Sequence, residues 1–74
     1  MKDDILIQFG ERVRNLRKDR GWCQEKLAEF SDFHRNYIGM VERGERNISL
    51  KNIKKLAEVF DLSVQELMDT CDGN

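Results

Sequence analysis

An all-α fold of five short helices around one core is what this sequence predicts, on three observations. The 74 residues contain no proline and only five glycines, and helix formers (Leu, Glu, Lys, Arg, Ala) dominate. Apolar residues recur three and four positions apart in successive segments, the period of a helix that buries one stripe. Each segment is bounded by residues suited to ending or starting a helix, Gly21 and Gly44 at the ends and Ser49 and Ser63 at the starts.

The first helix spans about 4–20. Ile5, Phe9, Val13 and Leu16 form its apolar stripe, and Asp3 and Asp4 lie at the positive end of its dipole. The basic group Arg17, Lys18 and Arg20 precedes Gly21, which suits a left-handed cap, and Trp22 turns back into the core. A second, short helix covers 24–30 with Leu27 and Ala28 inward; Cys23 holds the cap position, where a Ser or Thr oxygen would be stronger. Ser31, Asp32 and Phe33 form a turn. A third helix follows over 35–43, burying Ile38 and Val41, and Gly44 ends it. Residues 45–48 form a loop, and Ser49 caps a fourth helix over 50–60 with Leu50, Ile53, Leu56, Ala57 and Phe60 at helical spacing. After a break at Asp61-Leu62-Ser63, a last helix over 64–70 carries Val64, Leu67 and Met68, and Asp72-Gly73-Asn74 frays.

Several function classes fall away on these observations. The longest apolar run, Ile5-Leu6-Ile7, is far too short for a membrane span or a signal-peptide core, so a cytoplasmic protein is expected. Cys23 and Cys71 have no metal or redox spacing and read as free thiols in a reducing compartment. One histidine and two cysteines, irregularly spaced and without a third orienting group, make neither a zinc site nor a nucleophile, so no enzyme, metal or cofactor is expected, and no small-molecule effector is evident. The residues read as one domain over 1–74.

The informative pair is the second and third helices. A connection of three or four residues makes two helices cross steeply, as in a helix-turn-helix. Such a crossing needs a small residue at closest approach (Ala28), a turn residue that tolerates a left-handed conformation (Asp32), and an anchor beneath the second helix (Ile38).

With GWCQEKLA followed by YIGMVERG, the chain resembles the phage-repressor-like, Xre-type helix-turn-helix transcriptional regulators over roughly residues 9–67. Residues 35–50, RNYIGMVERGERNISL, further resemble the controller proteins of restriction-modification systems, small dimeric regulators. The resemblance implies that the third helix enters the major groove of double-stranded DNA. Arg35 and Asn36 would then read bases, Arg toward guanine O6 and N7 and Asn toward adenine N6 and N7. It places Tyr37 against a base or the sugar-phosphate backbone, and Gln24 on a phosphate or base. It also implies that Arg43, Arg46 and Asn47 grip phosphates, with Ser49 and Lys51 at a helix N-terminus that favours anions. Arg17 and Glu42 match a pair that the family joins as a structural ion pair. His34 departs from the usual cap of Asp, Ser or Thr; its imidazole can accept an N–H or meet a phosphate. Asp32 stands where many members have Gly or Asn, and Cys23 where they have Ser or Thr.

A net charge of −1 argues against a DNA partner until it is divided by region. Between Arg35 and Lys55 the bases are Arg35, Arg43, Arg46, Lys51, Lys54 and Lys55, against Glu42 and Glu45. From Glu58 onward there are acids only, Glu58, Asp61, Glu66, Asp69 and Asp72. The expected DNA face is therefore locally positive, as steering toward a polyanion requires. The expectation is a sequence-specific regulator binding a pseudo-palindromic operator as a homodimer, paired through Val59, Leu62, Val64, Leu67, Met68 and Cys71 of the last two helices. The competing expectation is an antitoxin-like or other helical protein-interaction module.

Overall fold

A computed structural model describes residues 4–69, and within them all regular structure is helical. The helices are α1 (Asp4–Asp19), α2 (Gln24–Ser31), α3 (Arg35–Glu42), α4 (Leu50–Val59) and α5 (Val64–Leu67). Cys71 and the expected fraying end at 72–74 lie outside the described residues.

The helix boundaries follow local chemistry. Gly21 stops α1 in a left-handed conformation (φ 72°), with its N–H donating to the Lys18 carbonyl at 2.9 Å. Asp32 does the same for α2 (φ 63°), and this single left-handed residue sets the angle at which α3 leaves. Cys23 is extended at the start of α2 but supplies no side-chain cap bond. Ser49 Oγ accepts the Asn52 N–H at 3.2 Å to open α4. Ser63 and Glu66 form a reciprocal capping box at α5. That last helix is shorter than expected, closing at Leu67 with Met68 as its cap.

α3 packs against α1 and α2, while α4 packs against α2 and α5. Phe9, Val13, Leu27, Ile38, Val41, Leu56, Phe60 and Leu67 fill the space between them. Trp22 closes one side, stacked on Phe60 (ring centroids 5.9 Å) and edge-on to Phe30 (4.9 Å). Two arginines, Arg12 of α1 and Arg20 in the turn just after it, tie down carbonyls of the last helices: Arg12 donates to Glu66 (2.9 Å) and Arg20 to Phe60 (2.8 Å).

Three apolar residues sit elsewhere than the periodicity implied. Ile5 is 56% exposed, because at the first turn of α1 it is Ile7 that faces the protein, against Gly44. Leu50 is 73% exposed, being the first residue of α4, one turn before the helix enters the core at Ile53. Leu67, expected at a dimer surface, is wholly buried within its own chain, because α5 docks by that side chain. Among the described residues, no helix is long and apolar enough to cross a membrane.

Candidate nucleic-acid interface

α3 has two faces with different duties. Ile38, Gly39, Val41 and Glu42 are buried, whereas Arg35 and Asn36 at the N-terminal turn are exposed. The turn is opened by His34, whose Nδ1 accepts the Asn36 N–H at 3.0 Å. The imidazole therefore acts as the cap, satisfying one of the free amides that every helix start leaves. It remains exposed, so the cap does not withdraw it from the surface.

A groove of about 410 Å³ runs between the start of α2 and the outer face of α3, lined by Gln24, Glu25, Arg35, Asn36, Gly39 and Arg43 among others. Arg35 does not wave freely there. Its Nη1 lies 3.4 Å from Glu25 Oε2, an exposed pair. Glu25 has its carboxyl held below the ordinary glutamate value, first by a hydrogen bond from its own backbone N–H, then by the Cys23 thiol, with Arg35 contributing. Arg35 and Glu25 belong to different helices, and no spacing rule in the sequence announces the pair.

Beneath the groove lies an ion pair. Arg17 Nε donates to Glu42 Oε2 at 2.7 Å and Arg17 Nη2 to Oε1 at 3.1 Å, with the two side chains 10% and 3% exposed. Arg17 also donates from Nη1 to the Trp22 carbonyl at 2.7 Å, so the guanidinium is bonded on both sides. Gln24 Nε2 donates to Glu42 Oε1 at 3.0 Å. The pair thus joins α1, the end of α3 and the start of α2, and is fully hydrogen-bonded as a buried charge must be.

Tyr37 is turned toward the protein more than the sequence suggested. Its hydroxyl accepts a hydrogen bond from Asn52 Nδ2 at 3.0 Å, and its ring leans on Phe33 (centroids 4.9 Å). The Arg46 guanidinium lies 5.4 Å from the ring centroid, so the basic loop is stapled to α3 through Tyr37. Asn52 has no signal in the sequence beyond being polar on a helix start, and it was missed. Arg43 forms a two-point bond to Glu45 (Nε 3.0 Å, Nη2 3.1 Å). Asn47, Ser49 and Lys51 are exposed around the start of α4. The structure brings Gln24, Arg35, Asn36 and Arg43 around one groove, while Arg46, Asn47, Ser49 and Lys51 belong to the loop and helix start that follow α3.

Two short helices joined through a left-handed aspartate, with the second offering a bare N-terminal turn and followed by a basic loop, define a helix-turn-helix domain. The chain belongs to the Xre-type helix-turn-helix family, whose model matches residues 13–67. It is 42% identical over 76 residues to control protein C.BamHI of Bacillus amyloliquefaciens, covering all of this chain and 94% of that protein. Its fold is similar to that of the restriction-modification controller protein C.AhdI from Aeromonas hydrophila (TM-score 0.80, 52% identity, 84% of this chain and 94% of that one). It is also similar to the controller protein C.Esp1396I, solved as a tetramer with its natural 35 base-pair operator (TM-score 0.80, 26% identity, 90% of this chain and 92% of that one).

Proposed function

We propose that this protein is a sequence-specific DNA-binding transcriptional regulator, the controller of a restriction-modification operon, and that it works in the cytoplasm as a homodimer on a pseudo-palindromic operator. The observation that carries the reading is the exposed first turn of α3, where Arg35 and Asn36 stand clear of the core beside the Arg43–Arg46 loop. In the major groove arginine can pair with guanine O6 and N7, and asparagine with adenine N6 and N7. Arg43, Arg46, Asn47, Ser49 and Lys51 supply the backbone grip that fixes register, and His34 adds an exposed imidazole at the helix start. The likeness to control proteins along the whole chain supports the same reading. A regulator of this kind acts by binding, without catalysis.

Two copies are needed on geometric grounds. Among the described residues one copy carries a single candidate recognition helix, α3, so two major-groove segments about 34 Å apart take two copies. Val59, Leu62, Val64 and Met68 are half-buried apolar residues from the end of α4 through the end of α5, and they supply the two-fold surface. Leu67 is left out of that set by its burial.

In vitro selection from a random duplex library tests the reading. A two-fold-related motif should emerge, and its affinity should fall steeply with salt, with a log–log slope of about −0.9 per phosphate neutralised. A module whose partner is another protein, held by an apolar surface, would enrich no motif even at low salt.

A further inference from the structure

Glu45 is an acid in the stretch proposed to grip phosphates, between Arg43 and Arg46. Two kinds of physical chemistry disfavour it there. The C-terminal end of a helix carries a partial negative charge and favours a cation. A DNA backbone brought against the loop adds like charge of its own. An acid that opposes both its own helix and the proposed ligand marks a place where local preference has yielded to function.

The backbone gives Glu45 a fixed seat. Gly44 takes a left-handed conformation (φ 75°) and its N–H donates to the Val41 carbonyl at 3.0 Å, while the Glu45 N–H donates to the Met40 carbonyl at 2.9 Å. These two bonds are the Schellman closure of α3. Gly44 is in turn packed on α1, since a Cβ there would stand 2.9 Å from Ile7 Cγ1. Side chains two positions apart do not face each other on a helix, but across this turn they do. Glu45 Oε2 accepts the Arg43 Nε N–H at 3.0 Å, and Oε1 accepts from Nη2 at 3.1 Å. Lys26–Glu29, Arg35–Glu25 and Lys54–Glu58, also exposed, approach only to 3.9, 3.4 and 3.4 Å. A carboxylate that meets a guanidinium at two points uses the same fork that a phosphate would.

We propose that Glu45 is an intramolecular stand-in for a DNA phosphate: it occupies the Nε–Nη2 edge of Arg43 in the free protein, and DNA binding exchanges the carboxylate for a phosphate. This rests on the DNA-binding reading above and adds to it an acid that limits affinity. The exchange returns less free energy than an unpaired arginine would give, and the released carboxylate is left beside the DNA backbone. Phosphates carry no sequence information, so Glu45 weakens the grip on every sequence alike. Binding away from the operator, which depends on phosphate contacts, is thereby kept weak.

Glu45→Gln, checked for a cooperative melt, is titrated against the selected operator and against a duplex with the motif scrambled. The substitution is expected to tighten both by about threefold, the size of an exposed ion pair, and to leave base preferences unchanged. Unchanged or weaker binding overturns the proposal.

The same substitution made in Arg43→Ala separates exchange from simple repulsion. Without Arg43 the gain from Glu45→Gln is expected to shrink, because only the repulsion between carboxylate and backbone is then relieved. A gain that is equal or larger without Arg43 overturns the exchange. In the free protein, the Arg43 Nε–H should exchange with solvent more slowly in the parent than in Glu45→Gln, and equal exchange overturns the pairing. In all of these outcomes the parent still binds its operator and the regulator reading stands. A parent that binds no duplex sinks that reading and the proposal together.

Discussion

Gly10 of α1 lies directly against the backbone of Glu42 at the end of α3: a Cβ on Gly10 would stand 2.5 Å from the Glu42 carbonyl oxygen and 2.5 Å from that of Val41. The contact is backbone to helix face, so no side chain can swing aside. This closeness brings Arg17, two turns further along α1, within reach of the Glu42 carboxylate. Replacing Gly10 with Ala would ordinarily favour a helix by about 1 kcal/mol. Here the overpacking dominates, and Gly10→Ala is expected to destabilise the protein by about 1–3 kcal/mol, measured by urea denaturation. Unchanged or increased stability would show that α1 and α3 are not held this close.

Removing one partner of the buried pair strands the other. Glu42→Ala leaves the Arg17 guanidinium in a site that is 10% exposed, with the Trp22 carbonyl as its remaining acceptor. The expected cost is about 3–5 kcal/mol, and replacing both residues with apolar ones of similar size should cost much less than Glu42→Ala alone. Equilibrium denaturation of the single and double variants checks both statements.

His34 opens α3 by accepting the Asn36 N–H. His34→Ala is expected to lose about 0.5–2 kcal/mol of stability, and His34→Asp to restore it, because a short carboxylate caps a helix well. An alanine variant as stable as the parent would mean that the imidazole cap contributes nothing.

The Glu25 carboxyl is held below its ordinary value of 4.5, chiefly by its own backbone N–H. A depressed value in the folded state means that its contribution to stability is present above 4.5 and is lost as pH falls through the lowered value. Melting temperatures followed down through this range should therefore fall less for Glu25→Gln than for the parent. The group is exposed, so the difference is expected to be small, and an identical acid limb for the two proteins would contradict it.

Most of the fold was legible because its punctuation is chemical. Gly21, Gly44, Ser49 and Ser63 each act at the helix end or start that their chemistry suits, and Asp32 makes the left-handed turn. What periodicity could not reveal was which end of a stripe lies over the core. Ile5 and Leu50 fit the helical spacing but fall on first turns that project beyond the packed region, and Leu67 fits an exposed edge but docks inward. Apart from the Arg17–Glu42 pair that the resemblance implied, the site was legible as residue types and not as contacts. Nothing along the chain indicates that Gln24 reaches Glu42, that Glu25 lies beside Arg35, or that Asn52 holds Tyr37, since each joins residues on separate helices. Gly10 was missed for the same reason: its partner is a backbone thirty-odd residues away, visible only once α1 and α3 are packed.

The central claim is that specificity resides in the first turn of α3, and Arg35→Ala measured against Arg46→Ala on the selected operator tests it most directly. Across duplexes with single base-pair changes, Arg35→Ala is expected to cost about 1–3 kcal/mol on the parent site and to lose discrimination at one guanine-bearing position. Arg46→Ala is expected to weaken every duplex alike and to make the salt slope shallower by about one. An Arg35→Ala protein that binds the selected site as tightly as the parent, with its base preferences intact, would contradict the account.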